Sequence, residues 1–212
     1  MNYFDLINKC LTELNYKTCR SFVELTKNDH EKIKNILNII NAEVCGFDNW
    51  SFLLRKASIE LPKNTGEIVN SISGRIHSIY IDDTKLEYYS DFEKFIMNKQ
   101  PSDTYSSFND KLLLPIFNQD KTLEIIYYTN KFAQNADAED TYSMTVETDK
   151  SIIPNPYAEP ILVYGTCMRL KANPEYSKFN YWFSMYKDSL ATMRSKIGTS
   201  ALETPEIKLH RR

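Results

Sequence analysis

Four cysteines, three histidines and a few close-set acids are the groups with chemistry to offer in this 212-residue chain. Cys10, Cys19, Cys45 and Cys167 show no Cys-x-x-Cys spacing, so neither a zinc knuckle nor a dithiol redox pair is encoded. His30, His77 and His210 stand apart, with no His-Glu-x-x-His to place two ligands on one helix face. Cys167 with His77 would supply a nucleophile and its base. Cys167, however, falls on the apolar side of a helical stretch, where a thiol reads as a small buried hydrophobe. Asp82 and Asp83 form a carboxylate pair, but adjacent acids between two β-rich runs are solvated turn formers. Gly-x-x-x-x-Gly-Lys-Ser/Thr, Gly-x-Gly-x-x-Gly and Gly-x-Ser-x-Gly are absent, and five glycines in all leave no phosphate-cradling loop. The residues point away from an enzyme, and neither cofactor nor metal is expected.

Two charged stretches remain. "KFAQNADAEDTYSMTVETDK" carries Asp137, Glu139, Asp140, Glu147 and Asp149 with no base between Lys131 and Lys150, which alone reads as a solvated connection. From Gly198 onward, "GTSALETPEIKLHRR" loses periodicity and reads as an arm over residues 198–212. Within it Ile207 and Leu209 are spaced two apart, as an added strand or extended clip needs, and Lys208, Arg211 and Arg212 could meet carboxylates on a partner. The formal net charge of −2 argues against a surface that grips nucleic acid throughout. No apolar run reaches the roughly 18 residues of a membrane span, and the first residues lack the order of a signal peptide. The expectation is therefore free thiols, a reducing compartment, cytosolic assembly and no membrane.

The elements that hold these groups follow from periodicity. Phe4, Ile7, Leu11 and Leu14 predict a first amphipathic helix. Ile33, Ile36, Leu37, Ile40 and Val44 predict a second, with Thr26 and Asp29 as its capping box and Gly46 as its left-handed C-cap. From Trp50 to about Asn130 the period changes to two. A hairpin is expected at Asp82–Asp83, a short helix capped by Ser90 with Glu93, and a second hairpin in "KLLLPIFNQDKTLEIIYYTN" joined through Asn118–Lys121, with Pro115 on an edge or bulge. Pro156 suits a first helical turn, and Pro160 requires a late start or a bend. Gly165 is expected where another backbone crosses closely. After Asn173 and Pro174 a last helix sets Phe179, Trp182, Phe183, Tyr186, Leu190, Met193 and Ile197 on one face. The fold class is α+β. Two N-terminal helices (1–47) and a C-terminal helical hairpin (155–197) form a small bundle in one domain (1–197), with a β-rich insertion at about 50–130.

This order, and above all "IIPNPYAEPILVYGTCMRLKANPEYSKFNYWFSMYKDSLATMRSK", resembles the head–tail adaptor (connector, or ring) proteins of tailed bacteriophages, closest in look to crAss-like and other short-tailed phages. "FNDKLLLPIFN" and "LEIIYYTN" are also similar, so the likeness runs from Tyr3 to Ile197. The arm is shorter, and the β segment longer, than in the leanest adaptors. The resemblance implies a homo-oligomeric ring of about a dozen copies below the portal, which joins head to tail and extends the DNA channel. Portal, the next tail or ring protein and sister copies are the implied partners, and double-stranded DNA only passes through. The implied location is the virion's head–tail junction, after assembly in the host cytoplasm. The arm residues Ile207, Lys208, Leu209, Arg211 and Arg212 would dock on the portal. The five acids would face the channel, where carboxylates repel phosphates. A tail-tube, stopper or tail-completion protein would share the ring function, whereas a bacterial binding module or small enzyme would be a monomer or dimer with a concave pocket.

Overall fold

The computed structural model describes residues 1–97 and 101–198. Its elements in chain order are α1 (Tyr3–Glu13), α2 (Asn28–Phe47), β1 (Leu54–Leu61), β2 (Glu67–Val69), β3 (Gly74–Ile81), β4 (Thr84–Tyr88), α3 (Phe92–Ile96), β5 (Thr104–Phe108), β6 (Lys111–Leu113), β7 (Lys121–Thr129), β8 (Ala133–Gln134), β9 (Asp140–Thr141), β10 (Lys150–Ser151), α4 (Ala158–Leu170) and α5 (Phe179–Ile197). The fold is α+β, and the chain divides into two compact units, one of residues 1–53 and 131–212 and one of residues 54–130.

In the helical unit α4 packs against α1, α2 and α5. α1 buries Tyr3, Leu6, Ile7, Cys10 and Leu11 at helical spacing, and Asn2 with Asp5 closes its N-terminus as a capping box. α2 starts one residue later than the Thr26–Asp29 box requires. Its N-cap is Lys27, whose N–H donates to Nδ1 of His30 at 3.3 Å, so a ring nitrogen takes the place of the expected carboxylate. Gly46 does not cap the other end. The helix runs through it to Phe47, and Asp48 ends it in an extended conformation. Trp50 is fully buried and its indole N–H donates to the Val44 carbonyl at 2.7 Å.

α4 starts late, as Pro160 requires, so Pro156 precedes the N-cap Tyr157 rather than occupying the first turn expected for it. The Pro154 carbonyl accepts from the N–H groups of Tyr157 and Ala158, and Pro160 falls in the first turn, where a missing N–H breaks no helical bond. At Gly165 the close neighbours are side chains rather than a crossing backbone. A Cβ there would sit 3.0 Å from the Tyr186 ring and 3.2 Å from an Ile40 methyl. The stretch expected as a plain polar connection is organised: β8, β9 and β10 form a three-stranded sheet in the order β10-β8-β9.

The second unit is a seven-stranded sheet in the order β1-β7-β3-β4-β5-β6-β2. Leu123 and Ile125 of β7 stand opposite Ile81 and Ile79 of β3 on one side and Ile59 and Ala57 of β1 on the other. This alternation builds a core completed by Leu61, Leu86, Tyr105, Leu112 and Leu114. Asp82 and Asp83 turn the β3–β4 hairpin, both at positive φ (48° and 63°), as a type I′ turn requires. The hairpin expected between β6 and β7 does not form. β6 pairs with β5 and β2, and β7 pairs with β1 and β3. The turn that β6 does use is Asn109–Asp110, again with both residues at positive φ (48° and 58°). The short helix α3 has Asp91 rather than Ser90 at its N-cap, with no side-chain cap bond.

Candidate functional site

The candidate nucleophile lies in the core. Cys167 is fully buried on α4, and its thiol donates to the Cys10 carbonyl with S···O 3.8 Å. The Cys10 thiol beside it is held well above the ordinary range by burial first and by the Cys167 thiol second, so it stays protonated. Burial likewise pushes the Cys45 thiol up. Enclosed thiols of this kind pack rather than attack. His77 lies in the sheet unit, exposed, with its ring edge-on to Tyr128 at 5.6 Å between centroids. His30 holds its cap as an acceptor, and burial followed by the charges of Lys27 and Lys34 lowers its pKa, which favours the neutral ring. Asp82 and Asp83 are exposed turn residues, and Asp82 pairs with Lys121. Among the described residues no three His, Cys, Asp or Glu side chains gather as metal ligands, and no helix is long and apolar enough to cross a membrane.

The five acids separate on inspection. Asp149 is 3% exposed and does not belong to any acidic surface. Its carboxylate accepts from the N–H of Thr145 at 2.6 Å, the N–H of Val146 at 2.9 Å and the Thr145 hydroxyl at 3.2 Å. Its carbonyl accepts from the N–H of Tyr3 at 2.7 Å, which pins the segment to the start of α1. Asp140 is half-buried in β9 and accepts from the Gln134 amide at 3.1 Å. Asp137, Glu139 and Glu147 are exposed. Asparagines hold the segment in place from α2: Asn38 exchanges bonds with the Met144 backbone at 2.9 Å in both directions, and Asn41 donates to the Phe132 carbonyl at 2.7 Å. The acids thus sit on a fixed frame. The residues expected to dock on a portal, Ile207, Lys208, Leu209, Arg211 and Arg212, lie outside the described residues.

The aromatic helix departs from its expected role as one continuous core stripe. Only Trp182 and Met193 of α5 are buried. Trp182 is fully enclosed, stacked on Tyr176 at 5.5 Å, with its indole N–H donating to the Glu13 carboxylate at 3.1 Å. Tyr181 meets Tyr164 of α4 hydroxyl to hydroxyl at 3.3 Å. Phe183, assigned to the buried stripe, is 48% exposed, and Tyr181 is 50% exposed. Lys187, one turn beyond Phe183 on the same side, is exposed too. The end of α5 is nonetheless anchored: Arg194 pairs with Asp48 at 2.9 Å, and the Ser51 hydroxyl donates to the Ile197 carbonyl at 3.2 Å. A rigid helix that presents apolar rings to water suits contact with another surface better than catalysis. Compared with known proteins, the chain matches no family model, and no curated protein matches it significantly in sequence.

Proposed function

We propose that this protein is a structural subunit of a phage head–tail adaptor ring, seated between the portal and the next tail or ring protein. The observation that carries the reading is α5, anchored along its length yet with two buried residues in nineteen. Half-exposed aromatic side chains on a fixed helix gain apolar burial when another subunit covers them. The order of helices, β-rich insertion and proline-started hairpin that carries the resemblance supports the same role. In this reading no chemistry is performed, double-stranded DNA passes through without being read, and the arm after Gly198 docks on the portal. The virion's head–tail junction is then its place, reached by assembly in the host cytoplasm.

Light scattering after size exclusion, with capture of the portal protein of the same virus, tests the reading. The full chain should be recovered with portal as a multimer. A chain lacking residues 199–212 should keep its fold and lose the portal. A full chain that stays monomeric and ignores portal would refute the role.

A further inference from the structure

The connection between α1 and α2, residues 14–27, is a strap with one short 3₁₀ turn, Phe22–Glu24. α1 holds its middle. The Asn8 side chain donates to the Cys19 carbonyl at 3.1 Å and accepts from the Cys19 N–H at 2.9 Å. Phe22 lies beside the rings of Tyr3 and Phe4, with centroids 6.0 and 6.2 Å away. α2 holds the far end. Lys34 sends its ammonium to the Leu25 carbonyl at 3.3 Å and over the Phe22 ring at 5.0 Å. Where the strap enters α2, the Lys27 carbonyl accepts from the N–H groups of His30 at 2.9 Å and Glu31 at 3.2 Å, and the Lys27 N–H donates to Nδ1 of His30. That last bond exists only while Nδ1 carries no proton. His30 is 5% exposed, so its ring is largely shut off from water.

We infer that His30 is an acid-sensitive latch: its neutral imidazole holds the strap to the start of α2, and its protonated form lets the strap go. The inference is independent of the adaptor reading above. Protonation at Nδ1 turns the acceptor into a donor and sets it against the Lys27 N–H. The new charge falls in the first turn of α2, where the helix dipole opposes a cation. Lys27 and Lys34, on either side of His30, repel it, and Asp29 and Glu31 attract it. Glu31 is already engaged by Lys34 at 2.7 Å, and Asp29 lies 3.7 Å from Lys32. From the neighbouring elements, Lys171 of α4 and Tyr16 of the strap line a hollow of about 150 Å³ with Asp29 and Lys32. Tyr3 of α1 donates its hydroxyl to the Lys34 carbonyl at 3.0 Å, and the Glu24 carboxylate of the strap accepts from the Arg20 N–H at 2.8 Å. Burial, then Lys27 and Lys34, outweigh the two acids, so the folded ring holds a proton less readily than the unfolded one. Such a histidine stabilises the closed latch above its unfolded value, about 6.5, and loses that contribution as pH falls through the folded value. Release bares Leu25 and Tyr3, both buried while the latch is closed.

Amide hydrogen exchange of the full-length protein between about pH 7.5 and about pH 5, read as protection factors corrected for the intrinsic rate at each pH, tests the latch. Protection over the strap should fall about fivefold, the scale of one lost helix cap, while protection over α4 stays constant. His30→Gln keeps an oxygen for the Lys27 N–H and has no proton to gain, so its strap should be equally protected at both ends of the range. His77→Gln should respond as the wild type does. A wild-type strap with unchanged protection, a loss shared equally by α4, or the same loss in His30→Gln would each overturn the latch. If His30→Gln does not fold, nuclear magnetic resonance of the wild-type imidazole decides. Titration below about pH 6.5 with the neutral proton on Nε2 supports the latch, and titration at or above that value, or a neutral proton on Nδ1, refutes it.

Discussion

The two arms of the C-terminal hairpin differ sharply in what they bury. α4 buries seven of its thirteen residues and α5 two of its nineteen. α4 is enclosed because α1, α2 and α5 all pack on it, and Gly165 lets the Tyr186 ring and Ile40 come within contact of its backbone. α5 is held by two buried side chains, Trp182 and Met193, and by two exposed contacts, the Tyr164–Tyr181 hydroxyl pair and the Arg194–Asp48 ion pair. One helix is the centre of a core and the other its lid, with a second face to spare. An aromatic stripe at helical spacing therefore marks a place of contact, and the contact can lie partly outside the chain.

The largest expected effect comes from the one place where α5 does enter the core. Trp182→Ala empties a fully buried site and strands the Glu13 carboxylate, at a cost of about 3–5 kcal/mol in urea unfolding. An unchanged unfolding midpoint would erase the distinction between lid and core on which the comparison stands. Next is Gly165→Ala. The added methyl would press on the Tyr186 ring and the Ile40 methyl, and overpacking of this kind costs about 1–3 kcal/mol. A stabilised variant would show that α5 rides loosely enough on α4 to give way. Phe183→Ser sharpens the contrast from the outer side. Its stability should stay within about 0.5 kcal/mol of wild type, while sedimentation should show weaker self-association.

The smallest effect lies in the seam between the two helices. The Tyr164 hydroxyl is held above the ordinary phenol range, first by its bond with Tyr181 and then by burial. An acid whose folded value is raised stabilises the fold below its unfolded value, about 10 for tyrosine, and loses that contribution as pH rises beyond it. Thermal melts should thus weaken above about pH 10, and Tyr181→Phe should reduce that alkaline loss. An identical alkaline profile in Tyr181→Phe would mean that the hydroxyl contact contributes nothing to the seam.

The long helices were legible because their apolar residues recur at 3.6, and the Asp82–Asp83 turn because paired acids tolerate positive φ. The false β6–β7 hairpin shows what local pattern omits. Asn118–Lys121 separates two β-rich runs as a turn would, yet Asn109–Asp110 is the pair that adopts two positive φ angles and folds β6 back on β5. Partner choice in a sheet is decided by the whole core, which for β7 means Ile79, Ile81 and Ile59 on its two sides. The acidic segment misled in another way. Charge alone gave Asp149 the same role as its neighbours, whereas its carboxylate is consumed by the Thr145 and Val146 amides four and three residues back. The exposure of Phe183 could not be read from spacing, since a helical period reports that a face is apolar and says nothing of which chain covers it.

The central claim, that α5 keeps its aromatic face for assembly into a ring, is tested most directly by electron microscopy of the full chain. It would be imaged alone at high concentration and in complex with the portal protein that the proposed role requires. The account predicts closed rings of about a dozen copies in the complex, with α5 of each copy covered by its neighbour. Isolated monomers or two-fold dimers in both samples, with α5 facing solvent, would contradict it.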